Sequence, residues 1–397
     1  MKTVFLSMLA IAALASCSKQ EFIDPSGPQE GEKMLVDITL SSGEITKASG
    51  VPTATEDKTI SNVTVFFLNP TDQIVSRQYV TGASLADGDV EGTKTATVET
   101  RTTATKMMVI ANIGEDRTAT GQTLNVSTRS QLVNVVQDLV STDSPPLPVQ
   151  VKGDVLMSGE GTVSAMTGDP DGGASTATAE VSLNFISAKI TLTKIELGTQ
   201  VQGTYGTDFK FTRAFLLNVQ TKSHYFPTAS SYIPDPKAYA NGVTWETAWG
   251  TDPSYPVVTD FSQALNYPDM NTPQTDIAHW YVFENDPATV AQTEHPTILA
   301  VEIEWTKTKA DDEAGVAEEK VKKMFNVIFA PGDKGVIKAG QAYNVALTFN
   351  GDFRPESDGG NGGGGDDNPD QPNISANVSI TVTPADWTDA PTEKPFE

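Results

Sequence analysis

From Pro355 to Pro372 the chain contains nothing that could enter a hydrophobic core, and five apolar residues at strict period two follow it. Ile374, Ala376, Val378, Ile380 and Val382 alternate with Ser375, Asn377, Ser379, Thr381 and Thr383. Such spacing describes a β-strand with one face to bury. The 18 residues before it, mostly Gly, Asp, Asn and Pro, form a solvated linker with an r.m.s. span of about 24 Å. Fully extended, the linker reaches on the order of 60 Å. It lacks the ordered D-x-D-x-D spacing and terminal Glu of a calcium loop. A well-patterned strand behind a flexible linker needs a groove to dock in. Two grooves qualify. One belongs to the strand's own domain, reached by a long loop whose closure cost grows only logarithmically with length. The other belongs to a second copy of the chain.

A matching row lies near the other end. Val36, Ile38 and Leu40 alternate with Asp37 and Thr39, giving V-x-I-x-L against V-x-I-x-V in the carboxyl-terminal strand. The polar passage Ser41 to Gly50 follows, with Lys47 among small and polar residues. Lys47 is either a plain surface lysine or, with Ala48 after it, the bond a trypsin-like protease would cut. A cut there leaves the early strand held by non-covalent contacts alone. Its departure is expected to open a sheet edge, which the carboxyl-terminal strand of a neighbour could fill by strand addition. Such a head-to-tail contact does not close on itself and propagates as a filament.

At the amino terminus, Lys2 precedes the apolar run Val4 to Leu14, which is too short to span a bilayer. The run ends at Leu14-Ala15-Ser16-Cys17, with the single cysteine of the chain. This resembles a bacterial lipobox, L-x-x-C, whose thiol is diacylated and becomes the new amino terminus. The alternative is an ordinary secretory signal with an incidental cysteine. A lipobox implies an exported precursor held to a membrane only through lipid, with Ser18 to Lys33 as a tether.

Between the two ends, strand patterns dominate. They include Ser61–Leu68, Lys106–Ile113, Val181–Phe185, Lys189–Ile195, Phe211–Val219, Thr297–Trp305, Lys323–Phe329 and Ala342–Phe349, separated by turn-rich clusters. One helix is expected over Leu132–Val140, with Thr128 and Gln131 as its capping box. Many short strands and few helices argue for β-sandwiches rather than a βαβ fold. A boundary is expected in the polar stretch near residue 200, and no internal repeat stands out.

Composition removes other classes. With 27 basic against 51 acidic residues, the net charge is −24, which disfavours nucleic acid and repels an anionic membrane. One cysteine permits no intramolecular disulfide, and His224, His279 and His295 lack local metal-ligand spacing. No G-x-S-x-G elbow, H-E-x-x-H helix or P-loop occurs, so no catalytic residue, metal or cofactor is assigned.

Taken together, these features resemble the type V pilins, the fimbrillin family of Gram-negative fimbrial shaft subunits. Short supporting matches are Met157-Ser158-Gly159, Ala188-Lys189-Ile190, Tyr281-Val282-Phe283-Glu284-Asn285 and Ala385-Asp386-Trp387. The resemblance implies an all-β chain of two tandem transthyretin-like β-sandwich domains, with a few short helices and a carboxyl-terminal donor-strand extension. It implies a lipoprotein precursor anchored in the outer membrane through Cys17 and a cell-surface fimbrium as destination. Partners would be copies of the chain itself, accessory anchor and tip pilins, and a trypsin-like maturation protease. The family's cleavage site is commonly an arginine, whereas no arginine precedes Arg77 and the best-placed base is Lys47.

The organisation expected is a signal peptide with its acylated cysteine over 1–17 and a propeptide with the removable strand over 18–47. Sandwiches over 48–200 and 201–354, a linker over 355–372 and a donor strand over 373–397 complete it. Trp387 either anchors the donated strand or caps its own sandwich. A competing function is glycan binding by a surface lipoprotein, since Trp245, Trp249, Tyr255, Tyr267, Trp280 and Tyr281 cluster in the second half. Aromatic residues at these positions serve equally as core.

Overall fold

The computed structural model describes residues 31–42, 55–90, 92–141, 149–168, 174–197, 210–244, 255–265, 272–286, 295–306, 320–329, 336–349 and 378–386. Period-two patterning produces strands almost throughout. The first half contributes β1 (Lys33–Ser42), β2 (Val63–Leu68), β3 (Ile74–Val80), β4 (Ala86–Asp87), β5 (Thr93–Arg101) and β6 (Lys106–Ala111). It continues with β7 (Val136–Asp138), β8 (Met157–Thr162) and β9 (Ser175–Phe185). The second half begins with β10 (Ser187–Leu197), β11 (Lys210–Leu217), β12 (Val219–Gln220), β13 (Lys222–His224), β14 (Tyr239–Ala240) and β15 (Ser262–Ala264). Then come β16 (Gln274–Phe283), β17 (Ile298–Thr306), β18 (Lys320–Ile328), β19 (Gln341–Phe349) and β20 (Val378–Asp386).

In the first half one continuous sheet runs in the order β3-β2-β6-β8-β9-β1-β5-β4. It folds back on itself. Val36 and Ile38 of β1 share a core with Val65 of β2 and Val109 of β6, a contact impossible in a flat sheet with strands about 4.8 Å apart. The fold falls at the junction of β8 and β9, which pair only through Met157 with Phe185 and Ser158 with Asn184. Beyond that point β8 lies against β9. A side-chain carbon on Gly159 would stand 2.3 Å from the Ser182 carbonyl oxygen, and one on Gly161 would stand 2.5 Å from that of Glu180. Only glycine allows this approach. The result is a sandwich with β9-β1-β5-β4 as one layer and β3-β2-β6-β8 as the other.

In the second half, the sheet β16-β10-β19-β20 faces the sheet β15-β11-β17-β18. Ile190, Leu192, Val345 and Leu347 meet Leu216, Val301 and Ile303 in one buried cluster. The same cluster takes in Phe66, Leu68, Met108 and Ile110 from the outer face of β2 and β6, so the halves share apolar packing.

Three sequence expectations differ from this arrangement. Strand β10, placed in the first sandwich by a boundary near residue 200, pairs with β16 and β19. The chain changes sheets between Phe185 and Ser187, with buried Ile186 at the crossing. The helix covers only Arg129–Val133. Thr128 does cap it, its Oγ1 accepting from the Gln131 amide at 3.2 Å, while Gln131 Oε1 accepts from the Ser127 amide at 2.8 Å. The valines beyond it are extended, because Val136–Asp138 pair with Lys222–His224, and β-branched residues favour a strand once a partner exists. A topological repeat is also present. β1 lies between antiparallel β5 and parallel β9, and β10 lies likewise between antiparallel β16 and parallel β19.

Candidate assembly interface

The alternation in β1 aims Met34, Val36, Ile38 and Leu40 at the core, each no more than 1% exposed. The sequence pattern places this strand over Met34–Leu40 with the last three as its buried row, and Met34 continues the same period of two. The outward positions are polar except for exposed Leu35. Lys33 pairs with Glu99 at 2.8 Å, and Thr97 Oγ1 donates to Asp37 at 2.6 Å.

β1 is an interior strand. Val36 stands between Val98 and Ala177, Ile38 between Ala96 and Ala179, and Leu40 between Lys94 and Val181. The expectation that its departure would open one sheet edge is therefore corrected. Departure would open two, along β5 and β9, with a trough between them floored by Val65, Phe67, Met107 and Val109. Burying the four side chains contributes on the order of 6–12 kcal/mol, at roughly 1.5–3 kcal/mol each. A domain's whole net stability is only about 5–15 kcal/mol, so the first half requires some strand in this trough.

The carboxyl-terminal strand has a different setting. β20 pairs antiparallel with β19 alone and forms the outer edge of its sheet. Val382, Ile380 and Val378 stand in register opposite Val345, Leu347 and Phe349. In this state the strand docks on its own chain, the first of the two grooves raised by the sequence. Pro384 within it is tolerated because an edge strand needs only one set of ladder bonds.

The structure thus places Val36, Ile38 and Leu40 in one buried row, and Val378, Ile380 and Val382 on a separate edge in the other half. Cys17, Lys47, Ala48, Ile374, Ala376 and Trp387 lie outside the described residues, as does the linker over 355–372.

One group beside β1 escaped sequence reasoning. Asp57, in the turn Thr55–Lys58 that precedes β2, is fully buried. Its carboxylate meets Lys189 Nζ at 2.6 Å and accepts from Tyr281 Oη. Lys189 and Tyr281 are cross-strand partners on β10 and β16, and the ammonium lies 5.6 Å from the tyrosine ring centre. Burial holds the neighbouring His279 below the usual imidazole range, and the Lys189 charge pushes it the same way.

Of the aromatic residues considered for glycan stacking, the three that are described take part in packing. Trp280 and Tyr281 are each 5% exposed. Tyr255 packs against Tyr239 and His295, with ring centres 5.4 and 5.8 Å apart from its own. Trp245, Trp249 and Tyr267 lie outside the described residues.

Known proteins resemble the chain over most of its length. Residues 187–387 match the family described as FimA-like major fimbrial subunit protein, C-terminal domain. That match begins at the first residue of β10. A candidate fimbrium tip subunit of Parabacteroides distasonis, Fim1C, is 25% identical over 375 residues, covering 88% of this chain and 87% of its own. The crystal structure of a candidate cell adhesion protein from Bacteroides eggerthii superposes with a TM-score of 0.65 at 26% identity, over 91% of this chain and 98% of that one. A fimbrilin from Porphyromonas gingivalis shares the fold with a TM-score of 0.58 at 18% identity, over 92% of this chain and 100% of its own.

Proposed function

The chain belongs to the FimA-like major fimbrial subunit family, the type V pilins, and on that premise we propose that it is a shaft subunit polymerised by donor-strand exchange. The precursor is exported as a lipoprotein acylated on Cys17 and anchored in the outer membrane. A trypsin-like protease cuts after Lys47, and β1 leaves with the anchor. The strand Ile374–Val382 of the next subunit then fills the trough, with Val378, Ile380 and Val382 taking the positions of Val36, Ile38 and Leu40. Trp387 closes the end of the donated segment, and accessory anchor and tip pilins terminate the filament.

The single observation that carries this reading is the position of β1: an interior strand whose inward row runs Met34, Val36, Ile38 and Leu40, with Lys47 five positions after its last residue. The far end of the chain carries a second row of nearly the same pattern, Val378-x-Ile380-x-Val382. Backbone ladders on both sides supply affinity for the replacement, and the alternate side chains set its register. A subunit carrying both a trough and a spare strand suits the interior of a filament. The resemblance to a candidate tip subunit makes the tip the competing position within the same family.

Limited trypsin digestion of the purified chain, followed by intact mass and non-boiled gel electrophoresis, tests the proposal. The expected result is one early cut after Lys47 and a ladder of boil-sensitive multimers. A cut product that stays monomeric would assign the terminal strand to its own domain permanently.

A further inference from the structure

Four basic residues lie between the start of β1 and the end of β3: Lys33, Lys47, Lys58 and Arg77. A trypsin-like protease must pull several residues on either side of its target bond into an extended cleft, so protection of a base depends on how its neighbours are held. Lys33 is within β1, and Arg77 is held in β3 by the carbonyls of Thr118 and Val126 and the side chain of Asn125. Lys58 ends a single 3₁₀ turn, is half-exposed and follows Lys47 by only eleven positions. Nothing in its local sequence distinguishes it from a cleavable lysine.

The difference is tertiary. On the amino side of Lys58, Asp57 is sunk against Lys189 and Tyr281. On the carboxyl side, Asn112 Nδ2 donates to the Thr59 carbonyl at 2.8 Å, and Asn112 Oδ1 accepts from the Ser61 amide at 2.8 Å. Ile60 between them is buried. To present the Lys58–Thr59 bond, the chain would have to draw a buried carboxylate away from its ammonium partner. That leaves charge unpaired in a low-dielectric site, which is strongly unfavourable.

We propose that Asp57, Lys189 and Tyr281 form a latch that sets the limit of proteolytic maturation, shielding Lys58 so that the retained chain keeps the turn leading into β2. This rests on the reading that the chain matures by a cut after a basic residue, and it adds the device that selects the base. Because Lys189 and Tyr281 belong to the second half, the latch also ties the first retained residues to a sheet that does not contain β1. Release of β1 then leaves β2 seated and the trough in shape.

The test compares the wild-type chain with Lys189→Met and Tyr281→Phe under limiting trypsin, with cut positions assigned by intact mass. Wild type is expected to be cut after Lys47 and to resist cutting after Lys58. Lys189→Met should accelerate the Lys58 cut at least about tenfold, since it strands the buried carboxylate. Tyr281→Phe removes one oxygen and keeps the ring, so it should give a smaller acceleration in a chain that remains folded. Adding Lys58→Gln to either variant should abolish the new product. A Lys58 cut that is no faster in folded Tyr281→Phe and Lys189→Met than in wild type would overturn the latch. So would a wild-type chain cut at Lys58 as fast as at Lys47. The readout is cut position, so it is independent of whether the cut chains go on to polymerise.

Discussion

Ile380→Asp is expected to leave the monomer folded and to remove its multimers. As it stands, β20 is an edge strand laddered to β19 alone. Because β20 is held by one ladder at a sheet edge, the substitution can loosen that strand while the rest of the monomer stays folded. The trough left by β1 offers no such escape. Its floor is apolar, and a residue taking the place of Ile38 has Ala96 on one side and Ala179 on the other. An ionised carboxylate there has no partner, and its burial costs more than the strand's remaining apolar residues supply. After proteolysis, a non-boiled gel should show a single band where wild type shows a ladder, while thermal melting of the uncut protein stays close to wild type. A wild-type ladder from the variant would exclude Ile380 from the subunit contact.

The converse substitution, Ile38→Asp, should spare the terminal strand and cost the precursor its first half. Ile38 is 1% exposed and central in an interior strand. The change removes a fully buried aliphatic side chain and puts an unpaired charge in its place, a combination worth more than about 4–5 kcal/mol. Against a net stability of roughly 5–15 kcal/mol, that is enough to detach β1 or unfold the layer containing it. The uncut variant should melt well below wild type and lose protection at the amides of β5 and β9. A variant that melts with wild type would mean that β1 contributes little to the first half, and the premise of a strand that must be replaced would fall.

The contrast between these two substitutions marks what was legible in the sequence. Both rows could be seen as strands, because Val36-x-Ile38-x-Leu40 and Val378-x-Ile380-x-Val382 carry the period of two in their own residues. Their settings could not. Whether a strand is interior or edge depends on which distant segment pairs with it, and β1 meets β9 some 140 positions later in the chain. The domain limit failed for the same reason. The alternation in Lys189–Ile195 is equally good in either sandwich, and only pairing with β16 and β19 assigns it to the second. The helix is shorter than its spacing suggests, because valines at 135, 136 and 140 fit helical periodicity while β13 supplies a ladder to Val136–Asp138. Asp57 was invisible altogether. Its partners stand 132 and 224 positions away, within the short motifs Ala188-Lys189-Ile190 and Tyr281-Val282-Phe283-Glu284-Asn285.

Assembly turns on one exchange, in which a carboxyl-terminal strand takes the place of β1. A labelled peptide spanning residues 373–397 measures it most directly when added to the chain before and after trypsin cleavage. Cut chains should bind the peptide one to one, retain it on a non-boiled gel and stop forming multimers as the peptide fills their troughs. Uncut chains, with β1 in place, should not hold it. Equal capture by cut and uncut chains would place the binding site elsewhere, and no capture by cut chains that nevertheless polymerise would contradict donor-strand exchange through this segment.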